Sequence, residues 1–258
     1  MRDDAAIAVE GLTRTFGGVP AVDGLSFRVE RGEIFGFLGP NGAGKTTTLR
    51  MLAGLLKPSH GSARILGYDV VEQALEVKRR IGVIADPPYL YDKLTGHEFL
   101  AFMADLYGVE RRAARERSAR LLDLLGLGDA ASELTEGYSH GMRQKLSLAA
   151  ALLHDPGVLL LDEPTSGLDP RAARTVRDLL VGLADQGRAI VLSTHALEIA
   201  EQMCSRVAII NRGSLAAVGT LAELRGQADA AGATLEEIFL ALTGGVQRAD
   251  VAAFLGAR

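Results

Sequence analysis

The run Gly39-Pro40-Asn41-Gly42-Ala43-Gly44-Lys45-Thr46 fits the pattern GxxxxGK[ST] without a gap. Its glycines let the backbone fold tightly, so successive N–H groups can point into one concavity. A helix is expected to begin near Lys45, and its N-terminal end favours bound phosphate. Lys45 is a compact cation able to reach the outer phosphates of a nucleotide. The Thr46 hydroxyl is a ligand for Mg2+, and Thr47 follows in the same turn. A plain Gly-rich turn before a helix is the competing reading. Against it, the strand-like run Glu33-Ile34-Phe35-Gly36-Phe37-Leu38 feeds straight into the loop.

Phosphate chemistry needs more than a cradle: a metal carboxylate, a group that orients water, and a donor at the terminal phosphate. Asp162 and Glu163 follow the apolar run Val158–Leu161, and His195 follows Ala189–Leu192. Asp162 is placed to hold Mg2+ through water, Glu163 to act as general base, and His195 to donate to the γ-phosphate. Asp86 closes a fourth run, Ile81–Ala85. An Asp-Glu pair alone reads as a solvated turn, and a lone His reads as blandly. Together, at the ends of buried strands, they form a site, because open α/β sheets bind ligands outside their carboxyl ends.

Several elements must position these residues. Residues 5–32 alternate β-like pieces with turns and predict an antiparallel sheet ahead of the phosphate loop. Phe16, before the Gly17-Gly18 turn, is either a turn aromatic or a ring stacked on adenine. A helix should run from Thr46 to about Leu56, where Lys57-Pro58 stops it. From Thr95 to Leu153 the periodicity is helical almost throughout. There Phe99, Phe102, Met103, Leu106 and Tyr107 share one apolar face. Ser139 caps a helix over 141–153, and Asp169-Pro170 starts another. Val207–Ile210 and Leu215–Val218 form a hairpin. Thr234-Leu235-Glu236-Glu237 is a capping box opening a short amphipathic helix, which docks on this core or on a neighbouring subunit.

Composition narrows the partners. At 258 residues the chain suits one large domain, or one domain with an insertion, and 48% apolar residues supply its core. A net charge of −4 gives no reason to expect nucleic acid. The arginines at 111, 112, 115, 117 and 120 are mixed with acids and read as a solvated helix face. The single cysteine, Cys204, excludes an internal disulfide and reads as a small buried hydrophobe. With no leader-like start and no run of ~18 apolar residues, the chain is expected to be soluble and cytosolic.

In the order and spacing of these motifs, residues 5–225 resemble the nucleotide-binding subunits of ABC transporters. Gly39–Thr46 looks like Walker A, and Val158–Glu163 looks like Walker B with its catalytic glutamate. Ser166–Asp169 resembles the D-loop, and His195 the switch histidine. Tyr138-Ser139-His140-Gly141-Met142 sits where the family signature LSGGQ would be, followed by Arg143-Gln144-Lys145. The resemblance implies an α/β P-loop NTPase core, a mixed sheet flanked by helices. An antiparallel β subdomain precedes that core. A helical subdomain is inserted at about 87–155, and a helical extension covers 226–258. It implies ATP with Mg2+ as cofactors, sandwiched between Walker A of one subunit and Ser139, His140 and Gly141 of a second in a head-to-tail dimer. Asp169 would also border that nucleotide.

Three departures from the family pattern stand out. Asp86 takes the place of the Q-loop glutamine that senses Mg2+, His140 replaces a signature glycine, and Phe16 replaces the aromatic tyrosine on adenine. The stretch 86–95 and the helix at 235–243 look most like the ABC-2 branch. That branch implies an exporter: an ATPase held on the inner face of the cell membrane by a separate permease. Tyr89, Leu90 and Tyr91 would line the groove for that permease. An importer ATPase, or a non-transport ATPase acting on ribosomes or DNA, are the alternatives. The second of these normally carries two cassettes or a long insertion, and neither occurs here.

Overall fold

The computed structural model describes residues 5–227 and 233–244. Two sheets organise them. In chain order, β1 (Ile7–Phe16) and β2 (Val19–Val29) form a hairpin around Gly17-Gly18, and β3 (Ile34–Leu38) leads into α1 (Lys45–Leu52). Next come β4 (His60–Ile65), β5 (Tyr68–Asp69), α2 (Ala74–Lys78) and β6 (Ile81–Ile84). The helices α3 (Gly96–Tyr107), α4 (Arg111–Leu124) and α5 (His140–Leu152) succeed them. The second half alternates β7 (Val158–Asp162), α6 (Pro170–Asp185), β8 (Ala189–Thr194) and α7 (Leu197–Met203). The hairpin β9 (Arg206–Asn211) and β10 (Ser214–Gly219), then α8 (Leu221–Gln227) and α9 (Leu235–Thr243), complete it. Of the expected extension over 226–258, residues 228–232 and 245–258 lie outside the described residues.

The first sheet is antiparallel, ordered β2-β1-β4-β5; the second is ordered β10-β9-β3-β8-β7-β6 and is parallel except for β10. β3, β7 and β8 are buried at every position, as expected of strands covered on both faces. Alternation within β3 divides the core. Phe35 and Phe37 pack toward the antiparallel sheet, where Phe27 stacks on Phe35 with ring centroids 5.4 Å apart. Ile34 joins the cluster under α3–α6, and Leu38 the one under α7 and α9. Leu235 and Ile238 of α9 are about 1% exposed in that last cluster, so α9 docks on its own chain.

Several sequence expectations are corrected. α1 stops at Leu52, not Leu56, because Gly54 turns the chain at φ 63°. The β-like pieces of 5–32 are two long continuous strands. On α3 the buried side chains are Phe99, Leu100 and Ala104, whereas Phe102 and Leu106 are exposed. Leu90 is buried in the core rather than lining a groove. The arginines of α4 form the solvated face expected of them: Arg112 pairs with Glu116 at 3.1 Å, and Arg117 with Asp155 at 2.8 Å. Arg188 grips the same Asp155 carboxylate, tying α4 to the start of β8.

His154, just beyond α5, joins the helices to the sheet. Its ring stacks on Tyr107 at 3.7 Å, and its Nε2 lies 3.0 Å from the Ile81 carbonyl oxygen. Burial pushes its pKa below the ordinary 6.5, the Ile81 carbonyl opposes this, Arg117 adds to the lowering and Asp155 resists it. A depressed folded-state pKa means that the unfolded chain binds the proton first. Stability is then intact above the ordinary value and lost as pH falls from it toward the folded-state pKa. A His154→Gln variant should therefore lose less Tm than the wild type between about pH 7 and pH 5, by about 2 °C. Parallel Tm–pH curves for the two proteins would reject this.

Candidate nucleotide site

Inter-strand register brings the chemistry together. Leu38 pairs with Thr194, and Asp162 with Ser193. The phosphate loop, Asp162–Glu163 and His195 therefore leave the sheet in one row, and Ile84 beside Leu161 brings Asp86 into it. They surround a cavity of about 600 Å³. Its wall holds Gly39, Pro40, Asn41, Gly42, Gly44, Lys45, Thr46 and Thr47 from the loop. Asp86, Asp162, Glu163 and His195 come from the other strand ends, with Ala21 from β2 and Phe239 from α9.

The loop is shaped by close approach. A Cβ on Gly39 would fall 2.4 Å from the Ile210 carbonyl oxygen. Gly44 has φ 105°, and a Cβ there would fall 2.5 Å from the Ala21 carbonyl oxygen. As N-cap of α1, Gly44 offers no side-chain acceptor to the first helical N–H groups, so these are available to an anion. Ala43 does not face the cavity: its methyl is buried in the core between the sheets. Lys45 is 8% exposed, and its Nζ donates to the carbonyl oxygens of Gly39 at 2.6 Å and Pro40 at 3.1 Å. Burial pushes its pKa down, while the carboxylates of Glu163 and Asp162 hold it up.

Across the loop, Thr46 Oγ1 donates to Asp162 Oδ2 at 2.6 Å, and Ser193 Oγ donates to Asp162 Oδ1. A hydroxyl beside a buried carboxylate is a hard oxygen donor set that fits Mg2+. Among the described residues no three His, Cys, Asp or Glu side chains form a metal site by themselves.

Glu163 is 14% exposed and takes the left-handed backbone region at φ 48°. Its Oε1 lies 2.9 Å from Nδ1 of His195, which is 72% exposed. With Nδ1 donating to Glu163, Nε2 is the ring atom left for a phosphate; it donates only from the imidazolium form.

The remaining candidates stand elsewhere. Phe16 does not line the cavity. It ends β1 at the hairpin tip, half-exposed, with the Arg14 guanidinium 4.6 Å from its ring centre. Ser139, His140 and Gly141 open α5 outside this cavity, and Ser139 Oγ accepts from the Met142 N–H at 3.3 Å. They pack on the D-loop-like turn, so that a Cβ on Gly141 would lie 2.8 Å from the Gly167 carbonyl oxygen. Asp169 caps α6 by accepting from the N–H groups of Arg171 and Ala172. Those backbone bonds hold its carboxyl below the usual range.

Sequence reasoning misses Ser193, Gln144 and Phe239. Ser193 stands directly before Thr194-His195, and its pairing with Asp162 depends on strand register. Phe239 belongs to an apolar helix face, and nothing in its sequence context signals that it reaches the cavity. Cys204 is partly buried just after α7, and burial pushes its thiol up to about 12.

The family model described as ABC transporter matches residues 22–166, more than half of the chain. The daunorubicin/doxorubicin resistance ATP-binding protein DrrA of Streptomyces peucetius is 46% identical over 220 residues, covering 85% of this chain and 67% of that protein. The probable multidrug ABC transporter ATP-binding protein YbhF of Escherichia coli is 38% identical over 242 residues, covering 93% of this chain and 42% of its own length. A solved ATP-binding subunit of an ABC transporter superposes with a TM-score of 0.88 at 33% identity, covering 92% of this chain and 99% of the other. The dimeric ABC transporter cassette MJ0796 gives a TM-score of 0.77 at 25% identity, covering 83% and 98%.

Proposed function

Since the chain belongs to the ABC transporter family of ATP-binding subunits, we propose that it hydrolyses ATP to drive export through a separate membrane permease of the ABC-2 type. One observation carries the chemistry: Lys45, the Thr46–Asp162 pair and the Glu163–His195 pair share one cavity. Residues 5–225 form the ATPase unit, with 87–155 as its helical insert and 226–258 as an extension.

In the mechanism, the loop N–H groups and Lys45 bind and orient the β- and γ-phosphates of ATP. Thr46 and Asp162 would hold Mg2+, whose charge offsets that of the phosphates, and Ser193 fixes the Asp162 carboxylate for that task. Glu163 takes the proton of the attacking water, and His195 both orients Glu163 and faces the terminal phosphate. Asp86 lies in the same wall, where its carboxylate would add negative charge facing the metal. The adenine extends toward Phe16. A second subunit, docked head to tail, supplies Ser139, His140 and Gly141, with Asp169 at the border. The exposed N-terminus of α5 is suited to the γ-phosphate.

Export is supported by the relatives, DrrA being a drug-resistance ATP-binding protein. Among the described residues no helix is long and apolar enough to cross a membrane. The location that goes with the proposed export is the inner face of the cell membrane, on the permease. The docking surface is a stripe along α3. Tyr89 is 79% exposed and sits against Tyr91, which meets Phe102 edge-on at 5.3 Å. One turn on, Leu106 borders a groove of about 410 Å³ with Leu55, Leu75 and Val83. Exposed apolar side chains gathered in this way mark interaction sites.

Co-expression with the cognate permease tests this reading: the two should co-purify, and drug efflux from vesicles should require ATP. Tyr89→Asp and Leu106→Asp should each weaken permease binding about tenfold and leave ATP affinity within about twofold. Undiminished co-purification and coupled ATPase in both variants would remove the stripe from the interface.

A further inference from the structure

Gln144 lies inside α5, 1% exposed, and its Nε2 donates to the carbonyl oxygen of Glu163 at 3.0 Å. The amide can face only one way, since exchanging Nε2 and Oε1 would set two oxygens against each other. In the orientation adopted, Oε1 is buried without a hydrogen-bond partner. An apolar side chain of the same length would avoid that unsatisfied atom. The bond to Glu163 is therefore what the amide contributes.

That bond falls on a demanding stretch of backbone. Glu163 holds φ at 48°, a region that side-chain-bearing residues keep only when their surroundings impose it. Its N–H donates to the Ser193 carbonyl oxygen at 3.1 Å, and its own carbonyl oxygen accepts from the Ser166 N–H at 3.0 Å as well as from Gln144. The first two bonds come from the sheet and from the turn after Glu163. Only the third comes from α5, the helix whose cap Ser139 and first residue His140 are exposed, and which the proposed dimer would set against another subunit's nucleotide. Gln144 lies five residues beyond Ser139, about 7.5 Å along the helix axis.

We infer that Gln144 is a positioning residue for ATP hydrolysis. It ties the peptide of Glu163 to α5, so that the carboxylate is correctly aimed when α5 is seated against the nucleotide. This rests on Glu163 being the base. A helix that moves as a rigid rod carries the Gln144 amide with it, and the Glu163 peptide is the first catalytic group it pulls.

The test is Gln144→Met, which keeps length and removes the donor. In the full chain, kcat should fall about tenfold, the effect of one lost aligning hydrogen bond. ATP affinity, read with a fluorescent nucleotide, should stay within about twofold. In a Glu163→Gln background the same substitution should change residual turnover by less than about twofold, because positioning acts through the carboxylate. Gln144→Glu gives a second readout. Its protonated form restores a donor, so its kcat relative to wild type should rise as pH is lowered, and it carries the test if Gln144→Met does not fold. Wild-type kcat in Gln144→Met, or a full additional loss in the Glu163→Gln background, overturns the inference. Both are distinct from failure of the base assignment, which would show as wild-type turnover in Glu163→Gln alone.

Discussion

Replacing Glu163 by glutamine should yield a protein that binds ATP and turns it over only residually. The amide keeps the shape of the carboxylate, so the backbone at φ 48° and the contact with His195 at 2.9 Å can persist. What is lost is basicity. A positioned general base contributes about 10²–10⁴-fold, so steady-state phosphate release should fall by at least about a hundredfold. Binding moves the other way. Glu163 and Asp162 both act on Lys45 in the same cavity, and removing one of these negative charges lowers the repulsion felt by the γ-phosphate. ATP affinity should be equal or tighter, and an ATP-bound dimer should accumulate, visible by size-exclusion chromatography. A kcat within about threefold of wild type would remove Glu163 from the role of base.

Lys45→Ala should instead lose both binding and hydrolysis. The ammonium is almost fully buried and held by two loop carbonyls, those of Gly39 and Pro40. On the proposed reading it would exchange these acceptors for phosphate oxygens when nucleotide binds, a gain in charge-assisted hydrogen bonding. Removing it should weaken ATP binding about 10–100-fold, from one or two charged hydrogen bonds. It should lower kcat/KM by at least about 10³, since charge on the outer phosphates grows in the transition state. Circular dichroism should be unchanged, because Ala is compatible with the first turn of α1. Equal nucleotide affinity in titration calorimetry would count against the phosphate loop as the binding element.

Much of the site was legible because its parts are local. The loop from Gly39 to Thr46 carries its own backbone geometry. Asp162 and Glu163 are marked by the apolar strand ahead of them, and Ser139, Asp169 and Thr234 are caps recognisable within three residues. What sequence could not convey is non-local. Buried parallel strands all look alike, so neither the order β10-β9-β3-β8-β7-β6 nor the pairing of Ser193 with Asp162 could be read. Periodicity found the apolar positions of α3, but Phe102 and Leu106 face outward: a period reveals a face, not what covers it. Gln144 and Phe239 act on the site from other elements, and their residue types carry no signal of that reach.

The shared register of β3, β7 and β8 also decides where this chain can change length. Removing one residue from β8 would draw the downstream residues back by about 3.3 Å and turn each of their side chains to the opposite face. Ser193 would leave Asp162, and His195 would leave Glu163. The connections at 108–110 and 125–134 follow helices rather than strands and lie outside the row of groups at the sheet edge. Insertions and deletions in these connections leave that register intact. A family built on this sheet can diversify the surface it shows to partners while its catalytic groups stay in one row.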